Sequence, residues 1–394
     1  MAQKIACGID VGTYEVKIVI SERSGGSLGN PPRIIGTGKA RSSGLRHGYI
    51  INVPDIVKSI KQAASDAEKM AGVKIDQAYL SLGGISLDSL YSIGQVTISR
   101  ADNEVTELDI ARAQKNAEDS LPQSFTMNQK IIHRIPISHK INGQDVLGNP
   151  EGMKGMRLDT KMLFVSCLEG HLNDLIGAVE EAGIEVSDIM ASPIAASLPI
   201  LSKTQKIAGC VLANIGAETV SLVVYENDIP ISVKVLPIGS TDITNDIALG
   251  LQIDIEEAEK LKLTEETGTK VSKKKLNDII EARLTDIFEL IDNHLKKIGK
   301  SELLPAGIII TGGGSGLSTI EDVAKALLKI PSRRASINPR QTPSRVGVKD
   351  ATWAVAYGMT IFALEPGDVL SERGIEVLKK TRTHALSWIK RFLP

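Results

Sequence analysis

Apolar positions along the 394-residue chain fall in short runs separated by turn residues. Ile5–Ile9 and Val16–Ile20 are two such runs, joined by the tight turn Asp10-Val11-Gly12-Thr13-Tyr14, which predicts a β-hairpin with Lys17 inside its second strand. The pattern returns further on, with Ile207–Ala213 as a strand, Asn214-Ile215-Gly216-Ala217-Glu218-Thr219 as a turn and Val220–Tyr225 as a second strand. Two like hairpins about two hundred residues apart imply a duplicated α/β unit with a ligand held between the copies. A third buried run, Ile308-Ile309-Ile310-Thr311, leads into Gly312-Gly313-Gly314-Ser315-Gly316. Further strands are expected near Ile34-Ile35, after the loop rich in Gly and Ser at 24–32, and at Gln77–Leu82, closed by Gly83-Gly84.

Helical periodicity marks Asn52–Gly72, entered through Pro54-Asp55, with Val53, Ile56, Val57, Ile60 and Ala64 on one face. It also marks His171–Gly183 and a long helix, Asn277–Lys297, whose Ile279, Ile280, Leu284, Ile287, Phe288, Ile291 and Leu295 face inward. From Ile85 to about Lys161 the rhythm changes. Leu87–Ser99 alternates like an antiparallel strand, Thr106 caps a helix at Glu107–Asp119, Lys130–Ile141 is a strand, and the Gly-rich stretch Asn149–Leu158 closes a small inserted α+β domain. Met162–Ser166 is expected to re-enter the main fold. The expected division is 1–84, 164–206 and 345–366 as a first lobe, 85–163 as the insert, 207–241 and 305–344 as a second lobe, 242–304 as a helical subdomain, and 367–380 as a polar linker to a terminal helix at 381–394.

The turns carry phosphate-binding chemistry. Gly12 lets backbone N–H groups approach an anion, Thr13 adds a hydroxyl, and Lys17 supplies a point charge. Asp10 is placed to hold a water on a bound Mg²⁺. Three successive glycines after a buried strand allow close approach of a flat or anionic ligand, where a structural turn needs one.

Composition narrows the class. With 42% hydrophobic but only 3% aromatic residues, the core is built from Ile, Val, Leu and Ala, and a formal charge of −1 argues against a nucleic-acid surface. Cys7, Cys167 and Cys210 stand singly without metal spacing and read as small buried hydrophobes in a reducing cytoplasm. Neither a signal peptide nor an apolar run of the roughly 18 to 20 residues needed to span a bilayer is evident. The last segment differs from the rest: from Lys379 onward there are five Lys or Arg and no acid. Helical spacing gathers Ala385, Leu386, Trp388, Ile389, Phe392 and Leu393 on an apolar side with Lys390 and Arg391 at its margin, which suits the surface of an anionic membrane.

The three glycine-bearing stretches together resemble the superfamily of actin, heat-shock chaperones and sugar kinases. His133-Arg134-Ile135-Pro136, Asn142-Gly143, the Asn149–Leu158 loop and the capped helix narrow this to a resemblance to the FtsA family of bacterial cell-division proteins, which the basic terminal helix extends to nearly the whole chain. The resemblance implies an α/β, actin-like, ribonuclease H-like duplicated bilobed fold with an inserted subdomain, and ATP with Mg²⁺ as cofactors. It implies cofactor contacts from Asp10, Gly12, Thr13, Tyr14 and Lys17, from Asn214, Gly216, Ala217, Glu218 and Thr219, from Glu259 and Lys262, and from Gly312, Gly313, Gly314 and Ser315. Asp10 and Asn214 would reach the cation through water. It further implies self-assembly into filaments, attachment to the inner face of the cell membrane at the division site, binding of the tail of the tubulin-like protein FtsZ, with Arg283, Lys296 and Lys297 as contacts, and recruitment of other division proteins. The connecting segments Ser192–Ala196 and Trp353–Gly358 also match. The departures are Asn214 for the usual Asp and Ala217 and Glu218 for two glycines, which put hydrolysis in doubt more than binding. No catalytic residue is assigned, and any ATPase is expected to be slow. A small-molecule kinase and a pilus-assembly adaptor similar to PilM are the alternatives on the same fold.

Overall fold

The computed structural model describes residues 4–23, 31–264, 272–337 and 351–364. The membrane-facing residues expected at Leu386, Trp388, Ile389, Lys390, Arg391, Phe392 and Leu393 lie outside the described residues. The chain divides into two compact units, one of residues 1–88 and 170–364 and the other built on 89–169.

Within the first unit, a five-stranded sheet has the order Glu185–Ala191, Gln77–Leu82, Lys4–Val11, Glu15–Arg23, Arg33–Arg41. Its last three strands pair antiparallel, and the first two join Lys4–Val11 in parallel. A second set of five strands follows the same plan: Ser332–Arg334, Ile308–Thr311, Cys210–Ile215, Val220–Glu226, Ile229–Leu236, with the same antiparallel and parallel relations. The fold is therefore duplicated, as the recurring hairpins predict. Central strands such as Cys210–Ile215 and Val220–Glu226 are buried along almost their whole length, which is why they read as continuous apolar runs instead of alternating ones.

Two helices, Ser192–Ile200 and Ala354–Leu364, cross within this unit at unusually short range. A Cβ on Gly358 would sit 1.9 Å from the Ala195 carbonyl oxygen, so only glycine permits the approach. Thr360 seals the far side with a 2.8 Å hydroxyl contact to Ser21. The helix Val53–Ala71 is capped by Asn52, which accepts from the Asp55 N–H, and ends at Gly72 with φ +69°. The long helix runs Lys273–Lys297, about one turn earlier than its apolar pattern indicates. Its first turn is three lysines, which oppose the helix dipole and disguise the start, while the Ser272 cap and buried Leu276 compensate. A two-residue hairpin, Leu45–Arg46 with Tyr49–Ile50, has no apolar signature and was not foreseen.

The second unit carries the strands Asp88–Thr97, Arg157–Leu168, Gln129–Ile141 and Gln144–Val146 in that order. Thr106 and Asp109 form a reciprocal capping box on the helix Glu107–Asp119. That helix buries Ala113 and Ala117 in clusters with Ile98, Val105, Ile141 and Leu158, and with Leu121, Met162 and Phe164. Glu118 on it receives both Arg134 donors at 2.7 Å. Asn142, with φ +52°, ties the glycine-rich loop by accepting from the N–H groups of Met156 and Arg157. Met162–Ser166 does not re-enter the main fold: it is part of Arg157–Leu168 and stays paired with Gln129–Ile141. A buried apolar run does not specify which sheet it joins. Among the described residues no helix is long and apolar enough to cross a membrane, and the three cysteines are free and buried.

Candidate functional site

The two hairpins align residue for residue. Val11 pairs with Val16 and Ile215 with Val220, so Asp10, Gly12 and Lys17 of the first correspond to Asn214, Gly216 and Ser221 of the second. The Gly12 N–H donates to the Glu15 carbonyl at 3.2 Å, and the Gly216 N–H to the Thr219 carbonyl at 2.8 Å. Both turns open on one cleft of about 400 Å³ in the first unit.

Asp10, Gly12, Thr13, Tyr14 and Lys17 line this cleft from one side, and Asn214, Gly216, Ala217 and Thr219 from the other. Burial holds the Asp10 carboxyl above its ordinary range, opposed by Lys17 and by the Ser81 hydroxyl, which donates to it at 2.9 Å. The second turn rests on the helix Ser240–Leu251, whose Ser240 and Thr241 N–H groups donate to the carbonyls of Gly216 and Ala217. Glu259 and Lys262 reach the cleft from the helix Ile255–Thr264. Their side chains lie 2.7 Å apart, and the buried Lys262 also donates to the Thr244 hydroxyl and the Ser240 carbonyl.

The glycine run divides its tasks. Gly312 has φ +89°, and a Cβ there would lie 2.3 Å from the Asn214 side-chain oxygen. Gly313 lines the cleft with open space where a side chain would be. Gly314 is packed on Ile215, and Ser315 donates to the Gly312 carbonyl at 2.7 Å, so neither lines the cleft. Glu218 also lies off the cleft lining. Its carboxylate accepts the His47 N–H at 2.5 Å, and His47 Nδ1 stands 3.3 Å from its carbonyl oxygen. The carboxylate that put hydrolysis in doubt is thus turned onto the small hairpin that contains His47.

Further lining comes from Gly48, Gly83, Gly84, Ser192, Ser221 and Trp353. Of these, Gly83-Gly84 was legible only as a strand end, and Gly48 had no signal at all. Among the described residues no group of three or more His, Cys, Asp or Glu is placed to hold a metal unaided. A cation here would need ligand oxygens and water beside Asp10 and Asn214. Open space at Gly313, two turns on one cleft and Lys17 fit a phosphate-bearing ligand. The expected partner residues are less uniform: Arg283 is held by Asp246 at 2.6 and 2.9 Å and by Asp286, Lys296 pairs with Asp292, and Lys297 is exposed in the last helical turn.

A duplicated sheet whose two hairpin turns and glycine run meet at one cleft defines an actin-like protein. A chain of the PilM–PilN type IV pilus biogenesis complex matches with TM-score 0.69 at 19% identity, covering 92% of this chain and 99% of that one. MreB5 of Spiroplasma citri bound to ADP matches with TM-score 0.50 at 13% identity, covering 91% and 96%. In sequence, residues 211–358 match the family model of cell division protein FtsA, and 84–166 match that of the SHS2 domain inserted in FtsA. The cell division protein FtsA of Bacillus subtilis is 30% identical over 90% of this chain and 82% of its own length. The chain belongs to the FtsA family of cell division proteins.

Proposed function

We propose that the protein binds ATP with Mg²⁺ in this cleft, assembles into filaments, and tethers FtsZ to the inner face of the cell membrane, where it gathers other division proteins. The observation that carries the reading is the convergence of two equivalent turns and the Gly312–Gly313 run on one cleft. The turns with Lys17 would take the phosphates, Glu259 and Lys262 with the glycine run the nucleoside, and Asp10 and Asn214 waters on the cation. Nucleotide that bridges two lobes favours their closed arrangement by its differential affinity, and filament contacts can follow that arrangement. The basic amphipathic segment 381–394 supplies the membrane contact, and the exposed Lys296 and Lys297 are offered to the FtsZ tail, with Arg283 the least available of the three.

The test is co-sedimentation with anionic liposomes of the full chain and of a chain ending at Lys380, each with and without ATP and Mg²⁺. Full-length protein is expected to pellet and to form ATP-dependent filaments on vesicles, and the shortened chain to stay in solution. Equal sedimentation of both would remove the tether. Binding to an FtsZ tail peptide, and none to an asparagine-rich pilus peptide, separates this reading from the pilus-assembly one.

A further inference from the structure

Besides Lys17 and the Glu259-paired Lys262, Lys39 also lines the cleft. Lys39, on Arg33–Arg41, is the direct cross-strand partner of Lys17, so the two ammonium groups share one face of the sheet. Like charges placed opposite one another are unfavourable in a sheet. Glu15, two residues before Lys17 and on the same face, contacts both at 3.3 Å. Lys17 also faces Asp10 across the hairpin, and Glu15 is the carboxylate in contact with Lys39. The arrangement is not required to build the hairpin. In the second copy Ser221 and Val235 occupy the positions of Lys17 and Lys39, and that position pairs without charge.

We propose that Lys39 is a second phosphate-binding cation, selective for the terminal phosphate of a nucleoside triphosphate, with Glu15 as an internal counter-ion that the phosphate displaces. The proposal rests on the nucleotide reading above. Lys17 is the less exposed of the two, at 15% against 60% for Lys39, and lies nearer the turn. Lys39 sits one strand further from the Asp10 strand, where the added charge of a third phosphate is met after Lys17 has engaged the inner phosphates.

Calorimetric titration of the full chain with Mg²⁺ and either ADP or a non-hydrolysable ATP analogue reads this out. The Lys39→Met variant is expected to lose about tenfold in affinity for the triphosphate and less than about twofold for ADP, as for loss of one charge-assisted contact. Lys39→Arg keeps the charge and is expected to restore the difference. Glu15→Gln is expected to raise triphosphate affinity several-fold, a gain that misfolding cannot produce. Equal losses for both nucleotides in Lys39→Met, no loss, or an unchanged or lower triphosphate affinity in Glu15→Gln would overturn the proposal while leaving nucleotide binding intact. Wild-type protein that binds neither nucleotide would overturn the nucleotide reading and this proposal with it.

Discussion

Gly312 shows how one residue holds the candidate site together. It combines a left-handed backbone with an approach of 2.3 Å between its absent Cβ and the Asn214 side-chain oxygen, so any side chain meets both obstacles. Replacing Gly312 with Ala is expected to cost about 2–4 kcal/mol, from the φ penalty and the overlap combined, and to displace Asn214. A fall in the unfolding midpoint together with loss of nucleotide binding is the expected result. Gly313→Ala, with open space at the same atom, is the control and should leave the midpoint nearly unchanged. Glu218 makes a related point. Its identity suggested repulsion of a phosphate, yet its direction removes it from the lining, and that direction is set by the His47 N–H, far away in sequence.

At the scale of elements, the strand Gln129–Ile141 carries His133 fully inside the second unit, and burial, aided by the neighbouring Arg134 charge, lowers its pKa to about 4. In the unfolded chain it titrates near the ordinary value of about 6.5. The folded state holds it neutral, so its stability contribution is intact above about pH 6.5 and is lost as pH falls towards 4, by about 3 kcal/mol when the fall is complete. Amide exchange of Gln129–Ile141, corrected for its intrinsic pH dependence, should accelerate across that window. A His133→Gln variant should show a flatter profile. Elements were the best-read scale in the sequence: the capped helices Val53–Ala71 and Glu107–Asp119 stand where caps and apolar stripes place them. The long helix was misplaced at its start because lysines there contradict the dipole rule, and the Leu45–Ile50 hairpin was missed because two-residue strands carry no period.

For the whole molecule, duplication is the organising fact. Two copies of one sheet bring two turns to one cleft, and a ligand touching both draws on two lobes at once. Saturation at one hundred times the dissociation constant should stabilise the protein by about 2.7 kcal/mol. On the nucleotide reading, ATP with Mg²⁺ is expected to protect the amides of both Gly12–Lys17 and Gly216–Ser221 from exchange, with little change in Gln129–Ile141. Protection of one turn alone would show that the copies do not act on a shared ligand.

By itself the sequence determined the local layout: which runs are strands and helices, that the hairpin occurs twice, and that residues suited to phosphate stand in both turns. These follow from apolar periodicity, caps and glycine placement, which are properties of neighbours in the chain. Only the tertiary structure decided the rest. It assigned Met162–Ser166 to the inserted sheet, turned Glu218 onto His47, engaged Arg283 with Asp246, and brought Gly48 and Lys39 to the cleft. Each of these depends on contacts between residues distant in sequence, and a side chain's partner and direction are set by packing and charge around it, which no local pattern encodes.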